Sequence, residues 1–324
     1  MNIGMVGLGR MGANMTTRLL RGGHAVVVWD RSADAVATAA AGGASGAASL
    51  DDLVARLAAS PAGDAGTAGA PRVVWVMVPS GDATEQTITA LGERLGAGDV
   101  VVDGGNSNYQ DSIRRARWLA ERGVRFVDAG TSGGVWGLAE GYALMVGGDE
   151  GAIATLRPAL ETLAPARDRG WAHVGPAGSG HFVKMVHNGI EYGLMQAYAE
   201  GFSIMKHKTD FGGVPHDLDL AQIAELWRHG SVVRSWLLDL AARALSQDAT
   251  LADIAPVVSD SGEGRWTVAE AIALDVPAPV ITHALIARLR SRDAESYADR
   301  MLAALRQQFG GHAVQRAGDG GPSA

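Results

Sequence analysis

The chain has 324 residues, no cysteine, and 28 basic against 35 acidic side chains, which give a formal charge of −7. The net acidity argues against a nucleic-acid-binding surface, and the lack of cysteine excludes disulfide frameworks, thiolate zinc sites and cysteine nucleophiles. An apolar content of 47% indicates a globular chain of about two domains. No apolar run has the roughly 20 residues of a membrane span, and MNIGMVGLG has no basic leader, so we expect a cytoplasmic protein without a signal peptide.

Short apolar runs alternate with helical patterns through the first half of the chain. Candidate strands cover 1–6, 25–29, 72–78, 99–103, 125–128 and 142–146, and a helix is predicted for 11–22. Continuous apolar runs are typical of parallel strands that are covered on both faces. Strands separated by helical segments indicate βαβ units, so the sequence predicts a Rossmann-like α/β domain with a doubly wound parallel sheet over residues 1–178.

The hydrophobic period changes after Gly178. The segment from Ser179 to about Lys206 contains no proline and has a helical pattern. Further helical patterns follow at 218–229, 232–247, 267–274, 278–290 and 294–308. The sequence therefore predicts an all-α domain over residues 179–312 and a flexible tail over residues 313–324.

A GxGxxG motif follows the first candidate strand and opens the first helix. Its glycines suit a tight turn, a close approach of pyrophosphate and close helix packing, while the helix start offers amides to phosphate. Alone the motif could arise by chance, but here the strand and helix context is complete. The cofactor-binding candidates in this motif are Gly7, Leu8, Gly9, Arg10, Met11 and Gly12.

The second strand ends in Asp30, an acid 18 residues after Gly12. A carboxylate at this place accepts bonds from both ribose hydroxyls of NAD and repels a 2′-phosphate. Arg31 and Ser32 pull the other way, because a guanidinium pairs well with phosphate, although Arg31 could instead stack on adenine or be solvated. The sequence favours NAD and leaves NADP open.

A polar stripe follows the long helical segment after residue 179. Its members fall at i, i+3, i+4, i+7 and i+8, which puts them on one helical face. The other positions from 183 to 195 are apolar or glycine, and a helix that is apolar over most of its circumference is usually buried. We therefore expect the stripe to line an internal cavity rather than to be a solvated face, and burial to lower the pKa of Lys184 so that it acts as a base. The stripe comprises Lys184, His187, Asn188, Glu191 and Tyr192.

Four segments together resemble 6-phosphogluconate dehydrogenase, decarboxylating, in its short-chain bacterial form, a branch of the β-hydroxyacid dehydrogenase superfamily. They are GLGRMG (7–12), GGNSNYQDS (104–112), DAGTSGGVWGLAEGYALMVGG (128–148) and KMVHNGIEYG (184–193). The similarity runs from Asn2 to about His312. It implies oxidative decarboxylation of 6-phosphogluconate to ribulose 5-phosphate and CO2 with reduction of NAD(P)+, in the pentose phosphate pathway or gluconate utilisation.

The resemblance also implies residue roles. Lys184 would take the proton of the C3 hydroxyl while hydride passes to nicotinamide, and Glu191 would protonate the enediol at C1. Val78, Pro79 and Asn106 would contact the cofactor, with Asn106 lying between nicotinamide and substrate. The implied substrate-binding residues are Asn106, Ser132, Gly133, Gly134, His187, Asn188, Tyr192, Arg265, Thr267, Arg288, Arg306 and His312.

In the family, the last two of these residues enter the active site of the neighbouring subunit. The resemblance therefore implies a homodimer or a homotetramer. A sugar-acid phosphate is the implied partner, with no nucleic acid and no membrane. No metal is expected, because the histidines show no i, i+4 pair and no HExxH motif.

Simpler interpretations remain open for several positions. Asn106 could be a turn residue, Gly133 and Gly134 plain loop glycines, and Arg288 a solvated helix residue. For the whole chain, a 3-hydroxyisobutyrate-type dehydrogenase would share the fold and the base but would leave four residues without a phosphate to bind: Arg265, Arg288, Arg306 and His312. A non-catalytic NAD-binding protein would leave the lysine and glutamate of the stripe without a purpose.

Overall fold

A computed structural model describes residues 1–59, 70–310 and 313–314. In the first half of the chain, apolar runs form strands and the amphipathic segments between them form helices. The strands are β1 (Asn2–Val6), β2 (Ala25–Trp29), β3 (Ser45–Gly46), β4 (Val73–Val76), β5 (Val100–Asp103), β6 (Arg125–Ser132), β7 (Ala143–Gly148) and β8 (Trp171–Gly175).

Seven helices accompany these strands, and a longer helix follows them. They are α1 (Arg10–Arg21), α2 (Ala33–Ala41), α3 (Leu50–Ala59), α4 (Asp82–Gly92), α5 (Tyr109–Ala120), α6 (Gly137–Glu140), α7 (Glu150–Leu163) and α8 (Ser179–His207). A short 3-10 helix, Gly134–Trp136, precedes α6. The remaining helices are α9 (Leu220–Arg228), α10 (Trp236–Gln247), α11 (Glu263–Ala273), α12 (Pro279–Ser291) and α13 (Tyr297–Gly310).

All eight strands form one sheet, in the order β3-β2-β1-β4-β5-β6-β7-β8. The order reverses between β1 and β4, which is the switch point where doubly wound folds bind their ligands. The first six strands of the chain are parallel. The α/β prediction is thus confirmed with one difference: β7 pairs antiparallel with β6, and β8 pairs parallel with β7.

The central strands of the sheet are buried on both faces. One apolar cluster contains Trp75, Leu156 and Leu160, and a second contains Val74, Val101 and Leu53. Neighbouring residues of one strand therefore enter opposite clusters, as the alternation of side chains requires. This explains why the central strands carry continuous apolar runs.

The chain divides into two compact units. The first unit comprises Met1–Ile190 and Glu263–Asp275, and the second comprises Glu191–Gly262 and the residues from Val276 onward. In the described part of the second unit, the buried apolar cluster is small and consists of Leu220, Ala224, Ala242 and Leu245. The domain boundary at residue 178 stays a prediction, and the tail predicted over 313–324 lies, apart from 313 and 314, outside the described residues.

An apolar groove of about 500 Å³ lies within the second unit. It is lined by α8 and α10 side chains that include Phe202 and Leu245. Over the residues that the structure covers, no helix has the combination of length and apolar character that a membrane crossing needs. In that same part of the chain, no cluster of three or more metal-ligating side chains could hold a metal ion.

Candidate active site

The GxGxxG loop joins β1 to α1, and each glycine has a different surrounding. Gly7 has a φ of 94°, and a Cβ there would lie 2.5 Å from the carbonyl oxygen of Met77. A Cβ on Gly12 would lie 2.0 Å from the carbonyl oxygen of Gly7. Around Gly9 no atom would come within 4 Å of a Cβ, so the backbone there faces open space. This arrangement gives a tight turn, a close helix contact and room for a pyrophosphate, as a dinucleotide loop requires.

The first turn of α1 is open to an anion. Its N-cap residue Gly9 offers no side-chain hydrogen bond, and no acidic residue stands in the turn. By contrast, α2, α5 and α7 are capped by the side chains of Ser32, Asn108 and Asp149. The amide groups at the start of α1 therefore remain available for phosphate oxygens.

Asp30 is fixed beside this loop by two backbone amides. Its Oδ2 accepts a 2.6 Å bond from the Leu8 amide, and its Oδ1 accepts a 2.8 Å bond from the Ser32 amide. Ser32 uses its Oγ to accept from the Ala35 amide, so it also caps α2. Arg31 is exposed. The carboxylate thus lies where β2 ends, next to the turn that would hold the pyrophosphate, and a dinucleotide with a free 2′-hydroxyl fits these residues.

The loop after β4 contacts both glycine-rich turns of the first unit. Its Met77 lies against Gly7, and a Cβ on Gly105 would lie 2.8 Å from the carbonyl oxygen of Val78. The carbonyl of the next residue, Pro79, accepts a 2.8 Å bond from Thr84 Oγ1. The candidate cofactor residues Val78 and Pro79 are therefore brought next to the segment that carries Asn106.

Asn106 joins the ends of β5 and β6. Its Oδ1 accepts a 2.9 Å bond from the Thr131 amide, and its Nδ2 donates at 3.2 Å to the Thr131 carbonyl. Its φ is 52°, which is uncommon for a residue other than glycine. The next residue after Thr131 is Ser132, the last of β6, followed by Gly133 and Gly134 at φ values of 130° and 51°. The structure thus places Asn106 beside the Ser132–Gly134 turn.

Lys184 is buried on α8, with only 5% of its surface exposed. Its Nζ lies 3.2 Å from His187 Nδ1 and forms a short hydrogen bond with Asn188 Oδ1. A Cβ on Gly130 of β6 would lie 2.4 Å from the Lys184 Cβ, so this glycine allows α8 to approach the strand. This geometry gathers an amine, an imidazole and an amide, which are three of the five members of the predicted polar stripe.

Two further contacts hold α8 in the first unit. The buried Asp128 accepts bonds of 2.6 and 2.7 Å from the amides of Gly178 and His181, at the start of the helix. Thr267 of α11 donates to the carbonyl of Met185 at 2.8 Å and packs against Gly189. Arg265, two residues before it, is exposed.

The apolar part of α8 is less buried than the sequence predicts. Met185 is 2% exposed, whereas Val183 is 37%, Ile190 53% and Leu194 47% exposed. The expectation of a helix buried all round is therefore wrong for this chain by itself. Lys184 is buried because it faces the strand end, while an apolar stripe on the same helix faces outward.

In the second unit, Tyr192 and Arg288 form one contact. The Arg288 guanidinium lies 3.4 Å from the Tyr192 ring centre and donates to the Ser259 carbonyl at 3.0 Å. The Tyr192 hydroxyl is buried and has no hydrogen-bond partner in the described part of the chain. Glu191 is half-buried, Arg306 of α13 is exposed, and His312 lies outside the described residues.

Comparisons with known proteins identify the family of the chain. The NAD binding domain of 6-phosphogluconate dehydrogenase matches residues 2–175, and the 6-phosphogluconate dehydrogenase C-terminal domain matches residues 180–312. The chain belongs to the 6-phosphogluconate dehydrogenase family. The resemblance drawn from the sequence motifs and the prediction of an NAD-binding Rossmann-like domain are both confirmed.

Relatives of known name cover the whole chain. An NAD(+)-dependent, decarboxylating 6-phosphogluconate dehydrogenase of Haloferax volcanii is 43% identical over 98% of this chain and 100% of its own. The solved 6-phosphogluconate dehydrogenase of Plasmodium falciparum, studied with NADP+ and with 6-phosphogluconate, is 27% identical with a TM-score of 0.77. The likeness covers 99% of this chain and 67% of that one.

A 3-hydroxyisobutyrate dehydrogenase of Mycobacterium tuberculosis shares the fold. Its TM-score is 0.68 at 24% identity, over 92% of this chain and 95% of that one. This likeness concerns the fold alone, so the alternative of a 3-hydroxyisobutyrate-type dehydrogenase is not better supported than the phosphogluconate family.

Several residues that shape the candidate site do not stand out in the sequence. Thr131 bonds Asn106, Asp103 bonds the residues on either side of it, Arg115 bonds Asp103, and Asp128 holds the start of α8. One signal was available for Asp103, because an acid that ends the apolar run DVVVD just before GGNS needs a partner inside the protein. That partner, Arg115, cannot be identified from spacing.

Proposed function

We propose that this chain catalyses the oxidative decarboxylation of 6-phosphogluconate to ribulose 5-phosphate and CO2, with NAD as the hydride acceptor. The observation that carries the proposal is the buried Lys184, grouped with His187 and Asn188 on α8. This group lies against Gly130 of β6 in the same unit as the dinucleotide loop. Family membership supplies the substrate class.

In this proposal Lys184 is the general base. The sequence has three lysines, and the other two, Lys206 and Lys208, are exposed. The Lys184 amine would take the proton of the substrate C3 hydroxyl while its neighbours orient it through hydrogen bonds. NAD, when bound, supplies the acceptor for the hydride that leaves C3.

The second step removes the carboxylate. With a ketone at C3, the bond from C2 to the C1 carboxylate breaks and CO2 leaves. The electron pair of that bond would move towards the C3 oxygen, which takes its proton back from Lys184, so that an enediol forms. Glu191, seven residues after Lys184 on the same helix, would protonate the carbon that has lost CO2. As this carbon is protonated, Lys184 would again take the proton of the C3 hydroxyl, and the ketone of the product forms. The products are ribulose 5-phosphate, CO2 and reduced cofactor: the substrate loses a hydride, a proton and CO2, and gains one proton on carbon.

Binding would be divided between polar groups and cations. The substrate carboxylate would be held by the hydroxyl and backbone amides of the turn beside Asn106, which comprises Ser132, Gly133 and Gly134. The substrate hydroxyls would bond to His187 and Asn188. The phosphate would be held by residues of this chain and of a neighbouring subunit. Those of this chain are Tyr192, Arg265, Thr267 and Arg288, and those of the neighbouring subunit are Arg306 and His312. The Arg288 guanidinium, held on the Tyr192 ring, supports this assignment because it provides a fixed cation next to a buried phenol.

The proposal includes a homodimer or homotetramer in the cytoplasm. Exposed apolar side chains support the oligomer, since monomeric proteins rarely expose large apolar patches. In α13, Tyr297, Met301 and Leu305 follow at spacings of four and are 73%, 42% and 52% exposed. A helix face of this kind is typical of an interface.

A substrate and cofactor panel tests the function. The purified chain is mixed with 6-phosphogluconate or 3-hydroxyisobutyrate and with NAD or NADP, and both cofactor reduction and CO2 release are followed. We expect reduction of NAD and an equal amount of CO2 with 6-phosphogluconate. Turnover of 3-hydroxyisobutyrate without turnover of 6-phosphogluconate would overturn the proposal, and a strong preference for NADP would overturn the role given to Asp30.

A further inference from the structure

Asn106 has a backbone conformation that its surroundings must impose. Its φ of 52° lies in the left-handed region, which a residue with a Cβ adopts at a cost in free energy. In this conformation its side-chain amide both donates to and accepts from the backbone of Thr131. The conformation therefore decides whether the turn after β5 stays joined to the end of β6.

The carboxylate of Asp103 bonds to the residues on both sides of Asn106. Its Oδ1 accepts a 3.0 Å bond from the Gly105 amide, and its Oδ2 accepts a 2.8 Å bond from the Ser107 hydroxyl. Asp103 is completely buried. Its two oxygens thus bond the residues before and after Asn106 and limit the backbone freedom of Asn106.

Arg115 of α5 neutralises this buried carboxylate. Its guanidinium donates to Asp103 Oδ2 at 3.0 Å and, through Nε, to Glu85 Oε2 at 2.8 Å. Arg115 is itself only 3% exposed. A buried carboxylate without its cation is strongly disfavoured, so the loss of Arg115 would disturb the contacts of Asp103 with the turn.

We propose that Asp103 and Arg115 are positioning residues for the reaction, which act by holding Asn106 in its left-handed conformation beside the Ser132–Gly134 turn. The inference rests on the proposed function, since it concerns the turn that would lie between nicotinamide and substrate. In this proposal neither Asp103 nor Arg115 contacts substrate or cofactor. Their effect on turnover passes through Asn106.

The chain offers a matched control in the neighbouring arginine. Arg114 also bonds Glu85, at 2.7 and 3.0 Å, but its remaining side-chain partner is Asp111 rather than Asp103. Its side chain is 56% exposed. Arg114→Met therefore removes a cation from the same helix and one of the partners of Glu85, while the ion pair of Asp103 with Arg115 stays intact.

The test compares Arg115→Met, Asp103→Asn and Arg114→Met with the unmodified chain. We expect kcat with 6-phosphogluconate to fall on the order of tenfold to a hundredfold in the first two variants. Arg114→Met should stay within about twofold of the unmodified chain, because exposed ion pairs contribute little. The Kd of AMP, the adenylate half of NAD, would report only on the part of the dinucleotide site near Asp30 and should change little in all three.

A double-variant cycle separates positioning from general stability. If Arg115 acts through Asn106, Arg115→Met should lower kcat by no more than about twofold in an Asn106→Ala background. A full, multiplicative loss in that background would overturn the inference, and so would equal activity of Arg115→Met and Arg114→Met. Asp103→Asn keeps the shape of the side chain, so it can replace Arg115→Met in this cycle if Arg115→Met does not fold.

Hydrogen exchange provides a readout that does not depend on turnover. The Gly105 and Thr131 amides donate to Asp103 and Asn106, so both should exchange faster in Arg115→Met and at the unmodified rate in Arg114→Met. Unchanged exchange would overturn the inference even in a chain that proved inactive on 6-phosphogluconate. An inactive unmodified chain with the expected exchange pattern would instead reject the proposed function alone.

Discussion

The two units of this chain differ in where their large apolar side chains lie. In the first unit, strand residues such as Val74 and Trp75 are fully buried between two layers of helices. In the described part of the second unit, Ile204, Leu226 and Leu302 are 72%, 65% and 60% exposed. Exposed apolar side chains also occur in the first unit, where Ile190 and Ile272 are 53% and 73% exposed, so the difference lies in the cores. The first unit has two large buried clusters around its sheet, whereas the buried cluster in the described part of the second unit has four residues.

The largest expected effect concerns the two lysines of α8, one in each unit. Lys184→Met should lower kcat by about 10²- to 10⁴-fold, the usual contribution of a general base. Lys206→Met, which removes an exposed lysine from the second unit, should leave kcat within about twofold. Steady-state kinetics with 6-phosphogluconate and NAD measure both, and near-normal kcat in Lys184→Met would remove this residue from the mechanism.

The next effect compares the two cores. Leu156 of α7 is fully buried in the first unit, so Leu156→Ala should lower the free energy of unfolding by about 2–5 kcal/mol. Leu245 of α10 lines the apolar groove of the second unit, and Leu245→Ala should cost less because it leaves less new cavity. Urea unfolding of both variants provides the values. An equal or larger loss in Leu245→Ala would break the comparison.

A smaller effect concerns the surfaces of the two units. Leu302→Asp places a charge on the exposed apolar face of α13 and should weaken self-association on the order of tenfold. The control, Ala154→Asp, places a charge on an exposed position of α7 in the first unit and should leave association unchanged. Sedimentation over a range of concentrations measures both, and dissociation in the control alone would contradict the role given to the second unit.

The smallest effect compares two acidic residues with arginine partners. The hydrogen bond from Arg114, with a further contribution from Arg115, lowers the pKa of Glu85 from 4.5 to about 2. Because the folded state holds Glu85 ionised, its contribution to stability is complete above about pH 4.5 and disappears as the pH falls towards about 2. Arg228, followed by His229, also lowers the pKa of Glu225 in the second unit, but that side chain is more exposed.

Acid unfolding therefore distinguishes these two residues. The free energy of unfolding decreases as the pH falls below about 4.5, and this decrease should be smaller in Glu85→Gln, by less than about 1 kcal/mol. The difference is small because 37% of the Glu85 side chain is exposed, so that solvent screens its ion pairs. Glu225→Gln should change the decrease in unfolding free energy less than Glu85→Gln does. Urea midpoints across this pH range measure the slopes, and a steeper slope in Glu85→Gln would be inconsistent with a lowered pKa.

Much of the fold follows from local sequence patterns, and what does not follow has physical reasons. Continuous apolar runs identified the central strands because a strand covered on both faces needs apolar residues at every position. The edge strands β3 and β8 were missed, since β3 has two residues and most of β8 is exposed. The antiparallel direction of β7 depends on which neighbour it meets, which a local pattern does not record.

The candidate site divides in the same way. The glycines of the dinucleotide loop and the group around Lys184 are close in sequence, so motif and spacing predict them. The partnership of Asn106 with Thr131 joins residues 25 positions apart, and the pairing of Asp103 with Arg115 depends on how α5 packs. Likewise, outward-facing Ile190 could not be told from a core residue, because composition does not reveal which apolar face is covered.

The open first turn of α1 has a practical consequence for work with this enzyme. With Gly9 as its N-cap and no acidic residue in the turn itself, this turn can attract any small oxyanion, whereas the side-chain caps of α2, α5 and α7 already satisfy amides at their starts. Sulfate or phosphate buffers should therefore compete with the dinucleotide and raise its apparent KM, while buffers without oxyanions should not. The choice of buffer anion thus becomes part of any measurement of cofactor affinity.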